Sequence, residues 1–412
     1  MNKFLLRNQT NEIGYYIFLL FPFIQQRSYQ ETPFIAGFYL IYTLVASIMM
    51  FGVVAPYIGR IYKRNTIIYV ITAFIGAYFI ATLFSSTKGA IRSTYTVFGF
   101  YSLSLFIFYE AKHSLQKILS ALSYIYGFFI YANFITDILF PSGLYTVTVS
   151  SHHSAHLLGD DNAIIYVVLP GLACMICNSL QKYRKITPFV WVALLMSIYT
   201  LVSIWSVSAF LCIILFALII FYEVRFRPIH PYLLLMSVFL MVFISIFGLN
   251  NEFIGGFIEK SLDKDITISG RTVLWYKSLE MISEKPILGW GGYFMNGKFD
   301  LGPTISYPCH TPYLQMLIDG GVILFSIFLV LTFLIYKEAQ RYKIASSYVL
   351  IACLTCMLVN YITEWSQHYH YFIICLLISN LRYFRKDSFS DKYSYRKKRE
   401  IKKSVGLRYG VA

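Results

Sequence analysis

The residues with chemical potential gather late in the chain. Arg271, in Gly270-Arg-Thr-Val-Leu-Trp275, carries a planar fork that can hold two phosphate oxygens at once. A fixed cation of that kind stabilises negative charge growing on a departing diphosphate. His310, in Cys309-His-Thr-Pro312, carries a ring that is largely neutral near pH 7 and can take a proton from an attacking hydroxyl. Each has a plainer reading: a loop arginine is solvated or anchors lipid phosphate, and a histidine ahead of a proline is a polar helix start. Asp137, Asp319 and Glu364 interrupt otherwise apolar stretches, where ionisable groups are costly and commonly functional. Interfacial solvation is the alternative for Asp137 and Glu364. The cluster His152-His153-Ser-Ala-His156 with Asp160 and Asp161 has the composition of a metal site, and His152 and His156 share a face if a helix forms there. A polar loop is the commoner meaning, and neither metal nor cofactor is expected. Asp263-Lys-Asp265 mimics the D-x-D of nucleotide-sugar transferases, but no parallel-sheet pattern surrounds it and it is discounted.

The elements that must position these residues are apolar. The chain has 412 residues, 57% hydrophobic and 13% charged, with mean hydropathy +0.60, whereas a soluble domain carries about a quarter charged residues. No water-soluble core hides that much apolar surface. Runs of roughly span length recur, closed by short polar clusters. They lie near 13–24, 33–58, 66–84, 94–109, 118–140, 163–179, 187–203, 205–222, 230–249, 312–336, 346–362 and 369–384. The stretch 187–222 is broken only between Ser203 and Ser208, and its length requires two crossings. The expected fold is all-α: a polytopic membrane helical bundle of about twelve transmembrane helices with one large outer loop. Its units are helices 1 to 9 over 1–249, the loop over 250–309, helices 10 to 12 over 310–384 and a basic tail over 385–412.

Lys and Arg are biased to cytoplasmic loops. With the N-terminus inside, 26 of the 35 basic residues fall on inner segments, and nine fall outside, among them Arg92 and Arg271. The sequence thus predicts both termini in the cytoplasm, and the net charge of +15 reads as an orientation signal, not a nucleic-acid footprint. Six of the seven cysteines fall within spans, so the two C-x-x-C pairs read as small apolar side chains on one helical face. Cys309 is expected to face outward, alone, without a disulfide.

The outer loop has an internal plan. Leu274, Trp275, Leu279 and Ile282 share one face of a short amphipathic helix beginning at Arg271, which Pro286 stops. Leu288-Gly-Trp-Gly-Gly292 predicts a tight turn, and the chain re-enters the membrane with Thr311 as N-cap and Pro312 at the first helical position. No internal repeat of the kind found in inverted-topology transporters is visible.

Arg271-x3-Trp275, Pro286-x2-Gly289-x-Gly291 and His310-Thr-x2-Leu314-Gln315-x3-Asp319-x-Gly321 resemble the signature of the O-antigen ligase and Wzy polysaccharide polymerase superfamily, approximately R-x3-W, P-x2-G-x-G and H-N-x2-L-Q-x3-E-x-G. A weaker echo is His156-Leu-Leu-Gly-Asp-Asp-Asn162, where the family often has R-x2-G…N. Three departures stand out: Thr311 replaces Asn, Asp319 replaces Glu, and the S-R motif expected near Ser206-Val-Ser208 has no Arg.

The resemblance implies a metal-independent membrane glycosyltransferase of the GT-C-like type, with Arg271 and His310 catalytic. Arg92, His156, Asn162, Asp319 and Glu364 become candidate substrate contacts, with Arg92 or His156 standing in for the missing cation. The implied function is polymerisation of polyprenyl-diphosphate-linked oligosaccharide repeat units into capsule, exopolysaccharide or O-antigen on the outer face of a bacterial cytoplasmic (inner) membrane. The implied partners are the lipid-linked donor and acceptor, the bilayer, a flippase and a chain-length regulator. A ligase that passes the finished glycan to another acceptor shares every motif. A flippase or transporter would carry symmetric halves and midplane charges.

Overall fold

The computed structural model describes residues 12–24, 33–84, 90–146, 154–159, 164–204, 207–226, 229–243, 271–292, 299–300, 306–307, 309, 311–362 and 368–385. Helix α1 covers Glu12–Phe23, α2 Pro33–Val54, α3 Ile58–Arg64 and α4 Thr66–Leu83. Then come α5 Ala90–Leu139, α6 Ile165–Tyr183, α7 Pro188–Ser203, α8 Val207–Arg225 and α9 Pro231–Phe243. The last four are α10 Arg271–Glu284, α11 Pro312–Gln340, α12 Ala345–Asn360 and α13 His368–Ser379. Two antiparallel pairs of two-residue strands, Tyr145–Thr146 with Ser154–Ala155 and Phe299–Asp300 with Ser306–Tyr307, are the strands among the described residues.

The fold is an all-α membrane helical bundle. Among the described residues, five helices are long and apolar enough to cross a bilayer, and six more are shorter and apolar. One of the five, α5, leaves helical geometry at Ser114 and doubles back. Its two arms are antiparallel, because α1 lies along both of them. Near the bend Tyr16 donates to Glu110 at 2.6 Å and Glu12 pairs with Lys117. At the far end of α1, Phe21 stacks on Phe129 and Phe23 lies beside Gly99. With α5 counted as two arms, the apolar rods follow the twelve spans expected from sequence.

Contacts at the helix ends give the bundle two distinct ends. At one, which we call the basic end, Asn65 caps α4 by accepting from the Ile67 N–H and donates to the Ser379 carbonyl. Gln181 donates there to Ser346 and the Arg385 carbonyl. At the other, the loop end, α10 and the turn after it pack against α4 and α11. Large apolar side chains stay exposed around the bundle, such as Leu195, Leu218, Phe221 and Met236, where acyl chains take the place of water. The seven cysteines are free and buried. Cys309 is covered by α10 and the start of α11.

Candidate functional site at the loop end

The site is organised by a break in α11. Gly321 has φ 61° and ψ −162°, a backbone open to glycine and strained for any other residue. The break strands the Ile318 and Asp319 carbonyls and the Val322 and Ile323 amides, which an unbroken helix pairs with each other. The loop after α10 satisfies all four. Trp290 N–H donates to Ile318 O at 2.6 Å and Gly291 N–H to Asp319 O at 2.9 Å, while Val322 N–H donates to Pro286 O at 2.8 Å and Ile323 N–H to Ile287 O at 3.4 Å. Unpaired in an apolar interior, each group costs about 1–3 kcal/mol, on the order of 4–12 kcal/mol together. The glycines let the backbones meet. Gly289 has φ +66°, and a Cβ there would stand 2.4 Å from Ile318 O; one on Gly321 would stand 2.2 Å from Ile287 O. The Pro286–Gly291 and Asp319–Gly321 motifs, separate in sequence, are thus two halves of one backbone interlock.

Helix α10 is held to the same place. Leu274 and Trp275 are buried against Cys309, Leu314 and Ile318, and Trp275 Nε1 donates to Cys309 O at 3.1 Å. Trp290 Nε1 closes the turn onto Met281 O at 3.0 Å, with the Lys285 ammonium 3.9 Å from its ring centroid. Gly292 N–H donates to Thr82 Oγ1 at 2.9 Å, which fastens the turn to the end of α4. Arg271 is the first residue of α10, one turn ahead of Trp275. The expected amphipathic helix is therefore present, and its tryptophan is a buried tie.

A polar chain runs up the first turns of α11. Cys309 Sγ donates to Gln315 Oε1 at 3.2 Å, and Gln315 Nε2 donates to Asp319 Oδ1 at 2.8 Å. Burial pushes the Cys309 thiol up to about 12, so it is a neutral donor. Thr311 occupies the N-cap position, as expected, but makes no side-chain cap; its hydroxyl donates to Tyr361 O at 2.8 Å instead. Tyr313 adds a bond to Leu358 O at 2.7 Å, so α11 starts against the end of α12. There Asn360 is buried with neither side-chain amide atom in a hydrogen bond.

A second polar cluster joins α5, α7 and the segment before α6. Asp137 accepts from Thr200 at 2.5 Å and from Asn133 at 3.1 and 3.2 Å. His156 Nδ1 lies 3.0 Å from Asp137 Oδ1, near enough for an ion pair though off-line for a hydrogen bond. Leu158 N–H donates to Asn133 at 2.9 Å. His156, expected to touch substrate, is buried in this arrangement.

Of the residues singled out from sequence, the structure puts Asp319 at the interlock and His156 against Asp137. His310, Asn162 and Glu364 lie outside the described residues, as do the side chains of Arg92 and Arg271 and the remaining members of the His152, His153, Asp160 and Asp161 cluster. Among the described residues no three His, Cys, Asp or Glu side chains could share a metal ion. Sequence reasoning gave Gln315 and Cys309 no role beside Asp319 and passed over Asn360. An isolated amide in the apolar run of α12 was the available signal for the last.

Residues 188–329, from α7 through the break in α11, match the family described as O-antigen ligase. No curated protein matches the chain. The matched span contains all three motifs that meet at the loop end. Residues 188–329, 142 of the 412 in the chain, are therefore similar to the O-antigen ligase family, which supports the superfamily resemblance carried by the three motifs.

Proposed function

We propose that the chain is a polymerase of polyprenyl-diphosphate-linked oligosaccharide repeat units, working at the outer face of the bacterial cytoplasmic membrane. The observation that carries this reading is the interlock, which gathers the starts of α10 and α11 onto one rigid backbone frame. In the proposed step an acceptor sugar hydroxyl attacks the anomeric carbon of the donor. The new glycosidic C–O bond forms as the bond to the diphosphate breaks, and the diphosphate leaves with the electron pair. Arg271 neutralises the charge growing on it, and His310 takes the hydroxyl proton. Attack opposite the leaving group inverts the anomeric centre. Asp319, braced by Gln315, and Asn360 supply hydrogen bonds to sugar hydroxyls, with Arg92, Asn162 and Glu364 as further contacts, and a flippase and chain-length regulator act as partners.

The matched description names a ligase, and that is the second reading. Purified protein given a synthetic lipid-linked repeat as both donor and acceptor separates the two: elongation marks a polymerase, and turnover only when a foreign acceptor is added marks a ligase. In the same assay His310→Ala should lose about 100-fold to 10,000-fold in rate, and Arg271→Lys about 2–4 kcal/mol of transition-state stabilisation, because a point charge cannot hold two oxygens. Wild-type rates in both variants would discard the site. Activity that persists in EDTA would support metal independence, and loss restored by a divalent ion would refute it.

A further inference from the structure

At the basic end of the bundle lies a cavity that the transfer reaction does not use. It is an open cleft of about 130 Å³ between α3, the bend of α5 and the turn after α13, and the exposed side chains of Arg60, Lys112, His113 and Arg382 line it beside Tyr57 and Tyr109. The three elements bring these cations together from remote parts of the chain. The cavity borders Asn65 at the start of α4, whereas Thr82, near the other end of α4, holds the loop turn. At 1.5 Å per residue the two sites stand roughly 25 Å apart.

The cavity is built for an anion. Its lining includes no carboxylate. Nearby acids are already engaged, Glu110 by the Tyr16 hydroxyl and Glu12 by Lys117, and among the described residues neither Arg60 nor Lys112 takes part in an ion pair. The Arg60 guanidinium lies 5.7 Å from the Tyr57 ring centroid, and Tyr57 stacks on Tyr109 at 4.6 Å. A guanidinium stacked on a ring keeps its N–H edge for oxygen acceptors. A cavity of about 150 Å³ admits a benzene ring, so a tetrahedral phosphate with an ester carbon fits. Leu44, Val45, Ile48 and Met49 form an exposed apolar stripe on α2 that runs toward the end of the helix where Arg60 follows, a surface suited to acyl chains.

We propose that this cavity binds a phosphate ester, supplied either by the head group of an anionic phospholipid or by a soluble ester. Basic pockets between spans at the membrane surface gain about fivefold in affinity per cation, about a hundredfold for three. The test uses the full chain in detergent, with retained lipid counted by native mass spectrometry. Wild type should hold phosphatidylglycerol far more tightly than phosphatidylcholine, and the combined Arg60→Gln, Lys112→Gln, Arg382→Gln variant should lose that preference about a hundredfold. An equal charge removal at the same end but outside the cavity, Lys182→Gln with Arg184→Gln and Lys185→Gln, should leave it intact. Lys112→Gln alone, at an exposed position, should cost about fivefold and covers the case of a misfolded triple variant. Displacement of the lipid by millimolar glycerol phosphate assigns the cavity to a soluble ester; retention assigns it to the lipid. A triple variant with unchanged preference, or equal loss in the control, overturns the proposal.

Discussion

The Gly291 amide donates to the Asp319 carbonyl at 2.9 Å, so the turn after α10 completes the hydrogen bonding of a helix it does not belong to. Gly289→Ala and Gly321→Ala each force a Cβ into a backbone atom, at 2.4 and 2.2 Å, on a positive-φ residue. Each should cost at least about 1–3 kcal/mol and abolish transfer. Gly37→Ala and Gly76→Ala, where an added Cβ meets nothing within 4 Å, should be neutral or slightly stabilising. Melting temperatures in detergent check this, and equal behaviour of the two pairs would refute the interlock.

Trp275→Phe keeps a ring but removes the donor to Cys309 O. A buried carbonyl left unpaired costs about 1–3 kcal/mol, and the segment carrying His310 loosens from α10. The expected result is a modest fall in melting temperature with a larger fall in kcat, whereas Trp275→Ala should lose about 3–5 kcal/mol of stability. If Trp275→Phe has wild-type kcat, the tie does not position the site.

Burial holds the Cys309 thiol at about 12, leaving roughly a thousandfold less thiolate at pH 8 than a free cysteine has. In a protein whose other cysteines are replaced, Cys309 should resist maleimide at pH 8, while Lys285→Cys on the exposed turn is labelled promptly. The folded state disfavours the thiolate, so this group's contribution to stability is whole below the free thiol's value, about 8.5, and is lost as pH rises toward 12. Rapid native labelling of Cys309 would contradict its burial.

Asp137→Ala strips partners from Thr200, Asn133 and His156 at once, and breaking a buried charged network costs about 3–5 kcal/mol. His156→Ala tests its role separately. Loss of stability that does not add to that of Asp137→Ala marks a structural brace, and a stable protein with a raised KM marks a substrate contact.

Asn360→Leu has opposite signs in two readouts. Two unpaired amide atoms are a burden on the folded state, so an apolar side chain of similar size should raise the melting temperature. If the amide binds glycan, activity should fall by tenfold or more in the same variant. Unchanged turnover would remove Asn360 from the site.

The sequence by itself determined the bilayer bundle, because span-length apolar runs bounded by charge have one stable solution in lipid. It also determined the start of α10 at Arg271 and of α11 at Pro312, where local chemistry suffices: an amphipathic period, and a proline whose missing N–H costs nothing in a first turn. The spacing of the two glycine motifs was readable as a family signature, yet their meaning was not. Gly320-Gly321 is a weak point in an otherwise helical run, but only a backbone from elsewhere in the chain, arriving with partners for the four stranded groups, makes a break at Gly321 affordable. Tertiary structure likewise decided that Cys309 is covered, that Thr311 bonds Tyr361 instead of capping its own helix, and that His156 meets Asp137. These are pairings between groups distant in sequence, and periodicity carries no information about which distant group arrives.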